Sequence, residues 1–349
     1  QQQQQQQQQQ AALLKVIAEE QDDSLTSEAA KAHKASVNKV AKGMFASIFT
    51  KVQTVFLDSI SEFLGGCYDA LGVLIMVRVI CQFNRVLQAK KMHCLDSFFD
   101  RVNIMLWPKF KSIFDSHVAS LMNLDLTIVK GPATSVHSIV LRYAELTKGI
   151  LCLNIGYNDE ILKSNLRRMR DIVERLLLQA SDKMADPKQG VIYLINNYSA
   201  IVQCLQAKGV ESDESAHFKE LAAVKTRLFV EQELADKFGG LIKFVKETES
   251  ASEAKFSEGK AENIVKDFVR SWREGIEKIN SSVLKNFPPE NSGEDAATDI
   301  LKQVLVQLVL YYQRFQDLIK KHSANKSTLT KELIPIPTIV YEIKKYGQK

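Results

Sequence analysis

Hydrophobic positions recur along most of this chain at spacings of three and four residues, the period of a helix with one buried face. Leu162, Leu166, Met169, Val173, Leu176 and Ala180 step by 4, 3, 4, 3 and 4. Leu301, Leu305, Leu308, Tyr312, Phe315 and Ile319 repeat the same series. No run alternates apolar and polar residues as a half-buried strand does, and no strand–helix–strand rhythm occurs. The pattern predicts an all-α protein.

The breaks in the pattern divide the chain. Leu25 to Leu64 reads as one long helix with Val37, Val40, Met44, Ile48, Val52, Val55 and Ile60 roughly on one face. Gly65-Gly66 precedes a second helix, Cys67 to Ala89. Its centre, Leu71 to Leu87, is apolar on most sides, so other helices are expected to surround it. Asp96 starts the next helix, which Pro108 is expected to kink or restart because proline cannot donate to the preceding turn. Gly131-Pro132 ends that region, and helices over Ser135 to Leu153 and Asn158 to Ala180 follow. Asp186-Pro187 supplies an N-cap with proline at the first helical position, and is the preferred boundary between two bundles.

Beyond that boundary a helix is predicted over Lys188 to Ala207, then a polar loop, Lys208 to Ser215. A helix to about Lys237 is expected to stop at Phe238-Gly239-Gly240-Leu241. A charged segment, Glu247 to Glu262, leads to a helix over Asn263 to Phe287. Glu290 to Asp295 reads as a loop, and Pro335 and Pro337 precede a terminal helix, Thr338 to Tyr346. The domain reading is a low-complexity glutamine tract at 1–10, a helical segment at 11–64, a first bundle at 65–185 and a second at 186–349.

Composition narrows the function classes. With 45% hydrophobic and 25% charged residues among 349, the chain can bury a substantial core. Lys and Arg number 46 against 41 Asp and Glu, a net charge of +5 that does not mark a nucleic-acid binder. The five cysteines are odd in number and share no CxxC spacing, so they read as reduced core residues of a cytosolic protein. The glutamine tract carries no basic region or cleavage motif and is not read as a signal peptide. Arg78 interrupts Leu71 to Val77, and Ile300 to Tyr312 carries Lys302, Gln303 and Gln307. A membrane span needs ~20 apolar residues. Neither stretch is expected to cross, and the protein is expected to be soluble or peripheral.

Candidate chemistry is sparse. Six histidines are scattered without an HExxH arrangement, and no GxSxG, Walker or GxGxxG sequence occurs. No catalytic, metal-binding or cofactor residue is assigned, a carboxylate–histidine site inside a bundle is set aside because no ExxH pair is read in the sequence, and the chain is not expected to be an enzyme. Trp107, beside Pro108 among apolar neighbours, is expected in the core. The most basic helix face holds Lys163, Arg167, Arg168, Arg170 and Arg175, with Asp171 and Glu174 among them. It reads as a docking face for an acidic partner or anionic membrane, or more plainly as the solvated side of a helix.

A series of landmarks carries a family resemblance. Gly65-Gly66-Cys67-Tyr68-Asp69-Ala70, Val79-Ile80, Leu95-Asp96 and Leu106-Trp107-Pro108-Lys109-Phe110 come first. Arg142-Tyr143-Ala144-Glu145, Tyr193-Leu194-Ile195-Asn196-Asn197-Tyr198, Phe238-Gly239-Gly240-Leu241 and Phe244-Val245-Lys246-Glu247 follow in order. Leu310-Tyr311-Tyr312-Gln313-Arg314-Phe315 and Glu342-Ile343-Lys344-Lys345 complete it. Together they resemble the C-terminal region of the vacuolar protein sorting-associated protein 52 family, from about residue 60 onward. The resemblance implies a rod-like stack of helical bundles of the multisubunit tethering complex (CATCHR) type. It further implies a subunit of the GARP complex, shared with EARP, in endosome-to-trans-Golgi retrograde transport. The implied partners are the other GARP/EARP subunits, a Golgi Rab GTPase and SNAREs, with no cofactor. The implied location is peripheral, on the cytoplasmic face of trans-Golgi network and endosome membranes. A generic α-helical adaptor that binds peptides or other proteins is the alternative.

Overall fold

The computed structural model describes residues 43–124, 131–206, 212–250, 256–292, 295–322 and 331–346, with a few positions between 32 and 40. Helices α1 (43–65), α2 (Ala70–Ala89), α3 (Asp96–Met122), α4 (Ser138–Asn154), α5 (Glu160–Asp182) and α6 (Pro187–Gln206) come first. They are followed by α7 (Asp213–Ser250), α8 (Glu258–Asn286), α9 (Pro289–Ser292), α10 (Ala296–His322) and α11 (Ile336–Lys344). No strand occurs among the described residues, and the protein is all-α. It divides into two compact units, Gln1–His117 and Val118–Lys349.

In the first unit α3 runs antiparallel to both other helices. Phe56 meets Phe98 with ring centroids 5.6 Å apart, and Arg101 donates to Gln53 Oε1 at 3.0 Å. Lys109 lies over Tyr68, Arg78 over Trp107, and Gln88 donates to Asp96 Oδ1. The core comprises Ile60 and Leu64 of α1, Val73, Leu74 and Val77 of α2, and Phe99, Val102, Leu106, Phe110 and Phe114 of α3.

Several expectations are corrected here. Val37, Val40, Met44, Ile48, Val52 and Val55 are exposed and turned away from α3, whereas Ile60 lies on the opposite, buried face. Helix α2 is not surrounded: Ile75, Val79, Phe83 and Val86 are exposed in a line opposite the buried Ala70, Val73, Leu74 and Val77. Arg78, which ends the apolar run Leu71 to Val77, is buried over the Trp107 ring at 5.9 Å. Among the described residues α2 is the one helix long and apolar enough to cross a membrane, contrary to the sequence reading. Helix α3 continues through Pro108 without restarting. Trp107 is half-buried, edge-on to Phe110, while Trp272 of α8 is the buried tryptophan. All five cysteines are free and only half-buried.

In the second unit α6 is the central helix. It packs against α4, α5 and α7, and the run from Gly190 to Tyr198 is buried without a gap. Gly190 permits the approach to α5, since a Cβ there would stand 2.9 Å from the Ser181 carbonyl oxygen. The two asparagines in the run donate at depth: Asn196 to the Asn286 carbonyl at 2.9 Å and Asn197 to that of Tyr193 at 2.8 Å. Asn197 Oδ1 also accepts from His137 N–H. His137 in turn caps α4 through Nδ1, which is why that helix begins at Ser138 and not Ser135.

Helices α7, α8 and α10 pack on one another. Phe268 stacks on Tyr312 at 4.4 Å, and Phe229 meets Phe287 edge-on at 5.0 Å. All six apolar positions counted along α10 are buried. Helix α7 does not stop at Phe238-Gly239-Gly240-Leu241. It bends there, with Phe238 at φ −129°, ψ 31°, and continues to Ser250. The Tyr312 hydroxyl donates to the Ile334 carbonyl and accepts from its N–H, fixing the lead into α11.

Candidate partner-binding site

The basic face predicted from sequence lies on α5, and the start of that helix explains its orientation. The turn from α4 uses left-handed conformations at Gly156 (φ 76°) and Asn158 (φ 48°). Asn154 Oδ1 accepts from Asp159 N–H, and the Asp159 carboxylate caps Ile161 N–H and Leu162 N–H. So anchored, α5 buries Leu162, Leu166, Met169, Val173, Leu177 and Ala180. The fifth member of the line is Leu177, and Leu176 is displaced to its flank.

The five basic residues then divide. Lys163, Arg167 and Arg170 form one row of the helix, with Glu160 at its head and Asp171 and Glu174 beside it. Lys163 Nζ is 2.7 Å and Arg167 3.8 Å from the Glu160 carboxylate, and the Lys163 hydrogen bond holds that carboxyl below its ordinary value. Arg168 and Arg175 lie around the helix from this row, and both are exposed.

Arg170 turns inward. Its guanidinium is 3.4 Å from Glu214 Oε1 and 3.3 Å from Asp171 Oδ1. Glu214, at the start of α7, is buried and accepts from the Tyr143 hydroxyl of α4 at 3.4 Å. Burial pushes the Glu214 carboxyl up, opposed by the Arg170 charge and the Tyr143 hydrogen bond. Burial, then the Glu214 charge, pushes the Tyr143 phenol up as well. One turn along α7, His217 Nε2 sits 2.8 Å from Glu174 Oε2. A cavity of about 240 Å³ opens beside this cluster, lined by Asn154, Asn158, Lys163, Arg167, Ser212 and Glu214 among others.

Glu214 and His217 make an ExxH pair, the element of a bundle carboxylate–metal site, which corrects the sequence reading that no such pair occurs. Here Glu214 faces a guanidinium and His217 a single carboxylate. No three His, Cys, Asp or Glu side chains converge to hold a metal among the described residues. The network ties α4, α5 and α7 together through hydrogen bonds and charge. Its missing members carried no local signal, because Tyr143 and Glu214 are 71 positions apart and Arg170 and Glu214 are 44 apart.

The structure defines an all-α protein of packed helices that leaves charged and apolar helix faces exposed. Sequence comparison identifies which family. The profile described as "Vps52, C-terminal" matches residues 32–230, and the chain belongs to the Vps52 family. Vacuolar protein sorting-associated protein 52 A of Arabidopsis thaliana is 36% identical over 313 residues, covering 88% of this chain and 44% of that protein. Protein 52 B of the same plant is 37% identical over 296 residues, covering 83% and 41%. The Homo sapiens homologue is 26% identical over 313 residues, covering 88% and 43%. The chain thus spans less than half the length of these relatives.

Proposed function

We propose that this chain is the helical-bundle portion of a subunit of the GARP/EARP vesicle-tethering complex, acting in endosome-to-trans-Golgi retrograde transport by binding alone. Family membership over residues 32–230 carries the reading. The exposed α1 row supports it: its apolar residues face away from α3, and charges of both signs, Lys51, Asp58 and Glu62, flank them. That is the pattern of a helix that pairs with another helix. Exposed helix faces of this kind would hold sister subunits, a Golgi Rab GTPase or SNAREs, and several weak contacts on one assembly gain through effective concentration. On α5 the exposed Arg167, Arg168 and Arg175 present the charge that an acidic partner would meet, with Lys163 at the edge of the face and Arg170 supporting it from behind.

Affinity capture from cells of the full-length protein carrying this chain tests the assignment. Sister tether subunits recovered in stoichiometric amounts are the expected result. Their absence would remove the tether reading and leave the generic adaptor.

A further inference from the structure

The exposed face of α2 is a second unpartnered surface, and its chemistry differs from that of α1. Ile75, Val79, Phe83 and Val86 stand at i, i+4, i+8 and i+11 and are between 42% and 58% exposed. Tyr68 is 80% exposed just before the helix, and Met92 is exposed just after it. From Ala70 to Leu95 the sequence holds Arg78, Arg85, Lys90 and Lys91 and no acidic residue at all. Arg78 is buried over Trp107, while Arg85, Lys90 and Lys91 are exposed at the C-terminal end of the stripe. A seam for another protein helix carries flanking charges of both signs, as α1 does. An apolar stripe flanked by cations alone is complementary to a bilayer, whose acyl boundary takes the apolar side chains while anionic headgroups take the lysines.

We propose that the α2 face is a peripheral contact for an anionic lipid bilayer. Ile75, Val79, Phe83 and Val86 enter the headgroup–acyl boundary with the helix lying along the membrane plane, and Arg85, Lys90 and Lys91 engage the headgroups. The helix does not span, because its other face is committed to the protein core through Val73, Leu74 and Val77. The proposal rests on the tether reading only in making a membrane available.

Co-sedimentation of the whole chain with vesicles of phosphatidylcholine alone, and with about a third of the lipid replaced by phosphatidylserine, tests it. Binding is expected to the second vesicles, weakening as salt is raised. Val79→Gln with Phe83→Gln, and separately Lys90→Glu with Lys91→Glu, should each weaken partitioning roughly tenfold or more. All four substituted side chains lie on the surface, so thermal melting should be unchanged. No sedimentation, equal binding to both vesicles, or binding indifferent to both variants would overturn the proposal. So would self-association abolished by Phe83→Gln, which would assign the face to a second copy. The measurement uses no other tether subunit, so its failure leaves the capture experiment unaffected.

Discussion

The ring of Phe238 occupies the space that a side chain at position 275 would need: a Cβ built on Gly275 would stand 2.5 Å from Phe238 Cζ. Phe238 is the residue at which α7 bends, and its ring is buried against Phe268 of α8. The bend and the small residue therefore serve the same α7–α8 contact. Gly275→Ala should destabilise the protein by about 1–3 kcal/mol through overpacking. Gly239 and Gly240 have open space around their missing Cβ atoms. Gly239→Ala should then be neutral or stabilise by up to about 1 kcal/mol. Chemical denaturation of both variants checks the contrast.

Lys188 clamps the start of α6 to α7. Its Nζ is 2.6 Å from Glu233, which has no solvent exposure, and 2.5 Å from Asp236. The carboxylates raise the Lys188 pKa although burial opposes them. Lys188→Met would leave Glu233 buried beside no cation and should cost about 3–5 kcal/mol. The double variant Lys188→Met/Glu233→Leu should recover most of that loss in the same denaturation measurement.

Glu214 gives a pH prediction. Its folded-state pKa is raised above the ordinary 4.5 by burial, so the native state holds its proton more tightly than the unfolded chain. The resulting stability is fully present below the unfolded value and is lost as pH rises through the folded one. Glu214→Gln carries no titrating proton. Its melting temperature should therefore improve relative to the parent as pH is raised through that window, and the difference should level off above it. A difference that does not vary with pH would contradict this.

Trp107 and Phe110 separate edge from core within one turn of α3. Trp107 is half-buried beside Arg78, whereas Phe110 is 1% exposed. Trp107→Ala should cost about 1–2 kcal/mol, from its edge-on ring contact and its cation contact. Phe110→Ala should cost about 3–5 kcal/mol. Equal losses would place Trp107 in the core after all.

The sequence pattern was most legible where a helix has one apolar face. The α10 line from Leu301 to Ile319 is buried as counted. The α5 line holds to Val173 and then passes to Leu177, because a straight helix of 3.6 residues per turn drifts from a strict seven-residue repeat. Legibility failed where a helix has two such faces. Helix α2 is almost wholly apolar yet half exposed, since composition does not reveal whether a neighbour exists. Helix α6 is the surrounded one, and Asn196-Asn197 disguised it. Their carboxamides are satisfied partly by Asn286 and His137, residues 90 and 60 positions away. The α5 site was found as a row of charges. Its division into exposed Arg168 and Arg175 and inward Arg170 depends on Glu214, which only the fold brings near.

The claim that this chain works as a binding scaffold on a tether meets its most direct test in capture of Golgi Rab GTPases loaded with GTP or GDP. The account predicts selective capture of one GTP-loaded Rab. Arg168→Glu with Arg175→Glu should reduce that capture roughly tenfold or more at unchanged melting temperature. Equal capture in both nucleotide states, or none in either, would contradict the Rab-binding part of this claim.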